Sequence, residues 1–161
     1  MRARILVADD HPLVRIALRN VLENAGPWEV IEATDGEEAI AQAQAARPDL
    51  VILDLAMPVM DGFTAVALLK KILPDAPILV HTLYFSPLVV KKALKAGARK
   101  VVPKSNSAMI VAAVQELLGS GSEGSASGEK PAASQSESGA LIVAMPSRSG
   151  VATETDEDLS A

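Results

Sequence analysis

Hydrophobic residues in the first 118 positions follow two alternating periods. Short apolar runs fall near residues 4–8, 28–33, 50–55, 78–83 and 100–103. Within them ILVA, LVIL and ILV show little polar alternation, the pattern of strands covered on both faces. WEVIEA does alternate, which suits a strand nearer an edge. Helical stripes lie between the runs. Val14, Ala17, Leu18, Val21, Leu22 and Ala25 form the first, opened by Pro12 and closed by Gly26. Asp35 and Glu38 have capping-box spacing ahead of Ala39, Ile40 and Ala43. Val66, Leu69, Ile72 and Leu73 mark a third helix that ends at Pro74. Ser86-Pro87 reads as a cap and first turn before Val89, Val90, Ala93 and Leu94, with Gly97 at the close. Ile110, Ala113, Val114, Leu117 and Leu118 mark a fifth.

Five strands alternating with five helices predict an α/β fold, a flavodoxin-like (βα)5 doubly wound parallel sheet of strand order 2-1-3-4-5. Ligands of such sheets gather outside the carboxyl ends of the strands. Here those ends carry Asp9 and Asp10, Asp54, Thr82 and Lys104. The predicted order makes strands one, three, four and five neighbours, so three carboxylates, a hydroxyl and an ammonium come to one rim.

Composition narrows the alternatives. The chain is 49% hydrophobic but only 2% aromatic, so its core is aliphatic. It has no cysteine, which excludes disulfides, thiolate metal sites and a cysteine nucleophile. No apolar run approaches the ~20 residues of a membrane span, and the opening run is too short for a signal peptide, so a cytoplasmic location is expected. Residues 1–118 hold 13 basic and 13 acidic side chains. Residues 119–161 hold 2 and 7, and so carry the whole net charge of −5. Neither part has the basic balance of a nucleic-acid binder. Residues 119–161 are Ser/Gly-rich and lack apolar periodicity, as expected of a disordered tail. Its one apolar stretch, ALIVAM at 140–145, reads either as a stray patch or as a short docking peptide.

Adjacent carboxylates at Asp9 and Asp10 repel unless a cation compensates them, and Mg2+ suits a few carboxylates plus water and phosphate oxygens. A simple cap before His11-Pro12 would explain the pair equally well. Asp54 follows LVIL, a run expected to be buried, where a carboxylate needs a partner. A carboxylate can accept a phosphoryl group, a transfer that depends on positioning and charge neutralisation. Taken singly, Thr82 is also an ordinary strand residue and Lys104 an ordinary loop charge. Taken together at successive strand ends they form a phosphate-handling set. His11 and His81 are lone imidazoles in this pattern, one in a cap region and one within a strand.

The stretches ILVADDHPLVRIAL, VILDLAMPVMDG, ILVHTL and ALKAGARKVVPKS resemble, in order and spacing, the receiver domain of bacterial two-component response regulators, across residues 1–118. DDHP and KAGARKVVPKS resemble its NarL/FixJ-type subgroup. The resemblance implies that Asp54 is the phosphoacceptor. It implies Asp10 as a direct Mg2+ ligand, Asp9 acting mainly through a bound water, and the Ala56 backbone carbonyl completing the protein ligands. Thr82 and Lys104 would contact the phosphoryl group, and Pro58 and Gly62 would shape the loop after Asp54. The implied partners are a sensor histidine kinase or phosphotransfer protein and a downstream protein target, with a homodimer left open.

Two departures stand out. Where the family often has an aromatic switch residue, three positions before the lysine, this chain has Val101; Tyr84 and Phe85 follow Thr82 instead. Where NarL/FixJ-type regulators carry a helix-turn-helix region, this chain has its Ser/Gly-rich stretch, so signalling by protein contact rather than direct DNA binding is expected. Lys91, Lys92, Lys95, Arg99 and Lys100 form a basic patch in the region the family uses for output. The chain is not expected to be a metabolic enzyme, since its product is its own altered surface. A Mg2+-dependent phosphatase or phosphotransferase with an Asp nucleophile is the rival reading, but LAMP after Asp54 lacks the second acid such chemistry uses. A phosphorylation-independent adaptor that keeps only the fold is a third.

Overall fold

A computed structural model describes residues 1–119. Five strands, β1 (Ala3–Ala8), β2 (Trp28–Ala33), β3 (Leu50–Leu53), β4 (Ile78–Thr82) and β5 (Lys100–Pro103), alternate with helices α1 (Pro12–Ala25), α2 (Gly36–Ala46), α3 (Gly62–Ile72), α4 (Pro87–Ala96) and α5 (Met109–Gly119). All strands pair in parallel, in the order β2-β1-β3-β4-β5. The predicted topology is the observed one, and the alternating strand WEVIEA lies at the sheet edge. Residues 119–161, including the apolar stretch 140–145, fall outside the described residues apart from Gly119, the last residue of α5.

Successive side chains on a strand face opposite ways, so the sheet is packed on both sides. Leu6, Val51, Leu53, Ile78 and Val80 meet Ala39 and Ala43 of α2, Ala65, Val66 and Leu69 of α3 and Ala93 of α4. Ile5, Val7, Leu50, Ile52, Leu79 and Val102 meet Leu18 and Leu22 of α1 and Ile110, Ala113, Val114 and Leu117 of α5. Small alanines on α2, α3 and α4 supply the aliphatic core that the scarcity of aromatic residues requires.

The helix starts show how local chemistry sets the loops. Asp35 accepts from the Glu38 N–H at 2.9 Å. The return arm of the expected capping box lands one residue earlier than usual. Glu38 accepts from the Thr34 N–H and hydroxyl, both at 2.7 Å, which hold its carboxyl below the usual range. Ser86 caps α4 through the Val89 N–H. Asp61 caps α3 through the Thr64 N–H and hydroxyl, both at 3.0 Å, a cap that the apolar pattern did not single out. The predicted inward stripe of α1 is wider than the real one. Only Leu18 and Leu22 are buried, while Ala17, Val21 and Ala25 face outward. Hydrophobicity marks which residues can be buried; the area of sheet available to α1 decides how many are.

Candidate functional site

Two carboxylates reach the sheet rim because the backbone ladder continues one residue past each strand. The Asp9 N–H donates to the Ala33 carbonyl at 3.1 Å and the Asp54 N–H to the Ala8 carbonyl at 3.0 Å. Both side chains are therefore held by a structured backbone and are 2% exposed. Lys104 opens a short 3-10 turn, Lys104–Asn106, directly after β5. From there its Nζ reaches Asp9 Oδ2 at 2.6 Å and Asp54 Oδ2 at 3.0 Å. Burial works against the charged amine, but the hydrogen bonds and charges of Asp9 and Asp54 outweigh it, so the Lys104 pKa is raised.

Further contacts hold this rim in place. The His11 N–H donates to Asp9 Oδ1 at 2.9 Å, and Arg15 Nη1 donates to the Asp9 carbonyl at 2.7 Å. The Ala56 N–H donates to Asp54 Oδ1 at 3.2 Å, which turns the chain back over the carboxylate and leaves Ala56 exposed. In the same loop Val59 has φ +78°, a left-handed conformation that is strained for a β-branched residue. Thr82 is fully buried and its hydroxyl accepts from the Tyr84 N–H at 3.1 Å. Asp10 is partly exposed, but its Oδ1 is buried and receives no well-directed hydrogen bond. One oxygen from each of Asp9, Asp10 and Asp54, with a nitrogen of His11, lies within 4.8 Å of the others. An orphaned carboxylate oxygen inside a group of three carboxylates suits a hard divalent cation, so the donor set fits Mg2+.

The model of the response regulator receiver domain family matches residues 5–115. The chain belongs to this family. It is 38% identical over 113 residues to the response regulator protein VraR of Staphylococcus aureus, an alignment covering 70% of this chain and 54% of VraR. The chain thus spans about half the length of the curated relatives it matches. A two-component response regulator of the LuxR family from Aurantimonas sp. SI85-9A1 superposes with a TM-score of 0.70 at 34% identity, covering 74% of this chain and 87% of that one. A response regulator protein from Burkholderia pseudomallei, solved with a phosphorylated aspartic acid, calcium ion and citrate, superposes with a TM-score of 0.65 at 30% identity. That match covers 72% of this chain and 66% of that one.

Within this receiver, Asp9, Asp10, Asp54 and Lys104 come together as the strand order requires, with Thr82 on the next strand end. Val101, at the position of the family's aromatic switch, is half-buried against the core on the α2–α4 side of the sheet. Tyr84 and Phe85 are exposed on the loop after β4, next to exposed Leu83 and Leu88. In the basic patch Lys91, Lys92, Lys95 and Arg99 are all exposed, Lys92 with its Nζ 5.5 Å from the Phe63 ring centroid, while half-buried Lys100 pairs with Glu116 at 2.6 Å. His11 is not isolated, because its Nδ1 faces both carboxylates of the doublet. The signal was available in the adjacency DDH, but spacing rules that seek a second imidazole pass over it. No helix among the described residues is long and apolar enough to cross a membrane.

His81, on β4, lies beside Ser107 and the α1 residues Val14 and Leu18, in the strand-packing place expected of it, and is 2% exposed. The Ser107 hydroxyl donates to the Lys104 carbonyl at 3.1 Å and so accepts from His81 Nε2 at 3.3 Å, leaving Nδ1 buried and unpartnered. Burial first, and the Lys104 charge second, push the imidazole pKa down to about 4. The unfolded chain, with an ordinary value of 6.5, binds this proton earlier as the pH falls. The folded state consequently loses on the order of 3 kcal/mol between about pH 6.5 and pH 4 through this residue, and nothing further below that window. His81→Leu is expected to flatten the urea midpoint across that range, and an unchanged pH slope in the variant would refute the assignment.

Proposed function

We propose that this chain is a phosphorylation-dependent signalling receiver, with Asp54 accepting a phosphoryl group from the phosphohistidine of a sensor kinase or phosphotransfer protein. The reading is carried by one observation: a single lysine amine bridges the buried Asp9 and Asp54 at 2.6 and 3.0 Å, on the rim where parallel sheets gather ligands. In the transfer an Asp54 oxygen attacks phosphorus, the P–N bond to the donor imidazole breaks, and an acyl phosphate forms. Lys104 is placed to exchange its Asp54 contact for a phosphoryl oxygen. The Thr82 hydroxyl, now held by the Tyr84 N–H, is the second candidate donor to the phosphoryl group. Asp9, Asp10, Asp54 and the Ala56 carbonyl would hold Mg2+, which when bound neutralises the charge that gathers on the transferring group.

The output is the protein's own altered surface. Recruiting Lys104 and Thr82 to the phosphoryl group changes the loops after β3 and β4 and biases a two-state equilibrium there. The loop after β4 and the first turn of α4 present exposed Leu83, Tyr84, Phe85 and Leu88 beside Lys91 and Lys95, which suits a protein partner with apolar anchors and acidic neighbours. The Tyr84 backbone N–H donates to the Thr82 hydroxyl, so the chain just after β4 is tied to any movement of that side chain.

Incubation with Mg2+ and a small acyl-phosphate donor tests the reading. Intact mass is expected to rise by one phosphoryl group, peptide mapping to place it on Asp54, and Asp54→Asn to abolish it. Multiple turnover on a free phosphate ester would instead establish an Asp-nucleophile phosphatase. No adduct with any donor would leave a phosphorylation-independent adaptor.

A further inference from the structure

The side chain that follows the acidic doublet turns back onto it. His11 occupies the N-cap position of α1, yet its side chain makes no capping hydrogen bond, so the imidazole is not committed to the helix end. Its Nδ1 lies 3.0 Å from Asp10 Oδ1 and 3.4 Å from Asp9 Oδ1. Asp10 Oδ1 is the buried oxygen that no well-directed donor serves. An octahedral ion with metal–ligand bonds of about 2.1 Å keeps neighbouring donors about 3.0 Å apart. The nitrogen therefore sits from the two carboxylate oxygens at nearly the spacing of adjacent ligands on one ion.

We propose that His11 Nδ1 is a further ligand of the cation at this rim and shifts the site from Mg2+ toward borderline divalent ions, Mn2+ and Co2+ in particular. The inference rests on reading Asp9, Asp10 and Asp54 as a cation site. Mg2+ is hard, keeps its waters and gains little from an imidazole in place of one of them. Mn2+ and Co2+ accept nitrogen donors more readily, with affinity rising along the first-row series. The ligand is the neutral ring, bonding through the Nδ1 lone pair and carrying its proton on Nε2. The side chain is 61% exposed, so that N–H can meet solvent. The sequence places this imidazole next to the doublet, and the reversal from β1 into α1 aims it at the carboxylates.

A plain hydrogen bond from Nδ1–H to the carboxylates would give similar distances without any metal preference, so the test must detect the nitrogen directly. Electron spin-echo envelope modulation on the full chain loaded with Mn2+ is expected to show the coupling of one bound imidazole 14N, lost in His11→Ala and in His11→Phe. Isothermal titration is expected to show Mn2+ and Co2+ affinity falling about tenfold in both variants, with Mg2+ affinity changed less than about twofold. Because His11 is exposed, both variants should keep the wild-type circular dichroism. Mn2+ binding without a nitrogen coupling, or a coupling that survives His11→Ala, would overturn the role of His11 and leave the carboxylate site standing. If neither Mn2+ nor Mg2+ binds the wild type, the cation-site reading falls and this inference falls with it.

Discussion

Lys104→Ala is expected to destabilise the protein by about 3–5 kcal/mol at neutral pH in the presence of a chelator. The ammonium is the shared counter-charge of Asp9 and Asp54, and none of the three side chains is more than 9% exposed. Removing it leaves two carboxylates together with little water to separate them, which costs more than the loss of an exposed pair would. The folded pKa of this lysine is raised above its ordinary 10.5. Its contribution is therefore complete below that ordinary value and is lost only as the pH climbs through the higher folded one, so a measurement at neutral pH sees all of it. Urea denaturation with EDTA reads the effect, and Lys104→Met controls for the packing of the aliphatic stem. Adding Mg2+ is expected to recover more stability in the variant than in the wild type, because the cation replaces the missing positive charge. A loss below about 1 kcal/mol would mean that the pair behaves as an exposed one and that the rim is wetter than its burial indicates.

The second large effect is steric. A Cβ on Gly62 would lie 2.5 Å from Leu55 Cα and 2.6 Å from the Leu55 carbonyl oxygen. Space is the constraint here, and the atoms it would meet are backbone, which cannot rotate away. Gly62→Ala is thus expected to cost about 3 kcal/mol and to push aside the segment just after Asp54, with Ala56 on it. Phosphoryl uptake on Asp54 should fall with it, while the far end of the sheet stays unaffected. Urea midpoints together with the rate of adduct formation check this. A variant with wild-type stability and uptake would show that the loop yields without disturbing the carboxylate. Gly97 differs in kind. Its φ of +125° lies where side chains are rarely accommodated, so any substitution there strains the backbone whatever space is available.

The element order and most boundaries were readable because they rest on short-range rules. Hydrophobic period separated strands from helices, Pro12 and Ser86-Pro87 opened two helices, and Gly97 closed one. Asp35 capped as its spacing foretold, because an N-cap needs only the next turn of its own chain. Strand ends followed from the same runs, so Asp9, Asp54, Thr82 and Lys104 could be named as a set. Less legible was anything that depended on a partner from a distant segment. Lys92 and Lys100 looked like free surface charges until Phe63 and Glu116 came into reach. His11 is a different case: its partners are its own sequence neighbours, and only the orientation given by the reversal after β1 shows that its ring faces the doublet.

By itself, then, the order of residues determined the secondary elements, the parallel sheet they imply and the list of reactive side chains at its rim, since period and capping act over a few neighbouring positions. Only the tertiary structure decided that Lys104 shares its proton-rich head between two buried carboxylates, that Thr82 is held by Tyr84, and that His81 is kept neutral beside Ser107. The first and last of those outcomes depend on distances between segments about 25 to 95 positions apart, the Thr82 contact on the turn taken just after β4, and all on the exclusion of water around them, and electrostatic strength follows distance and dryness together.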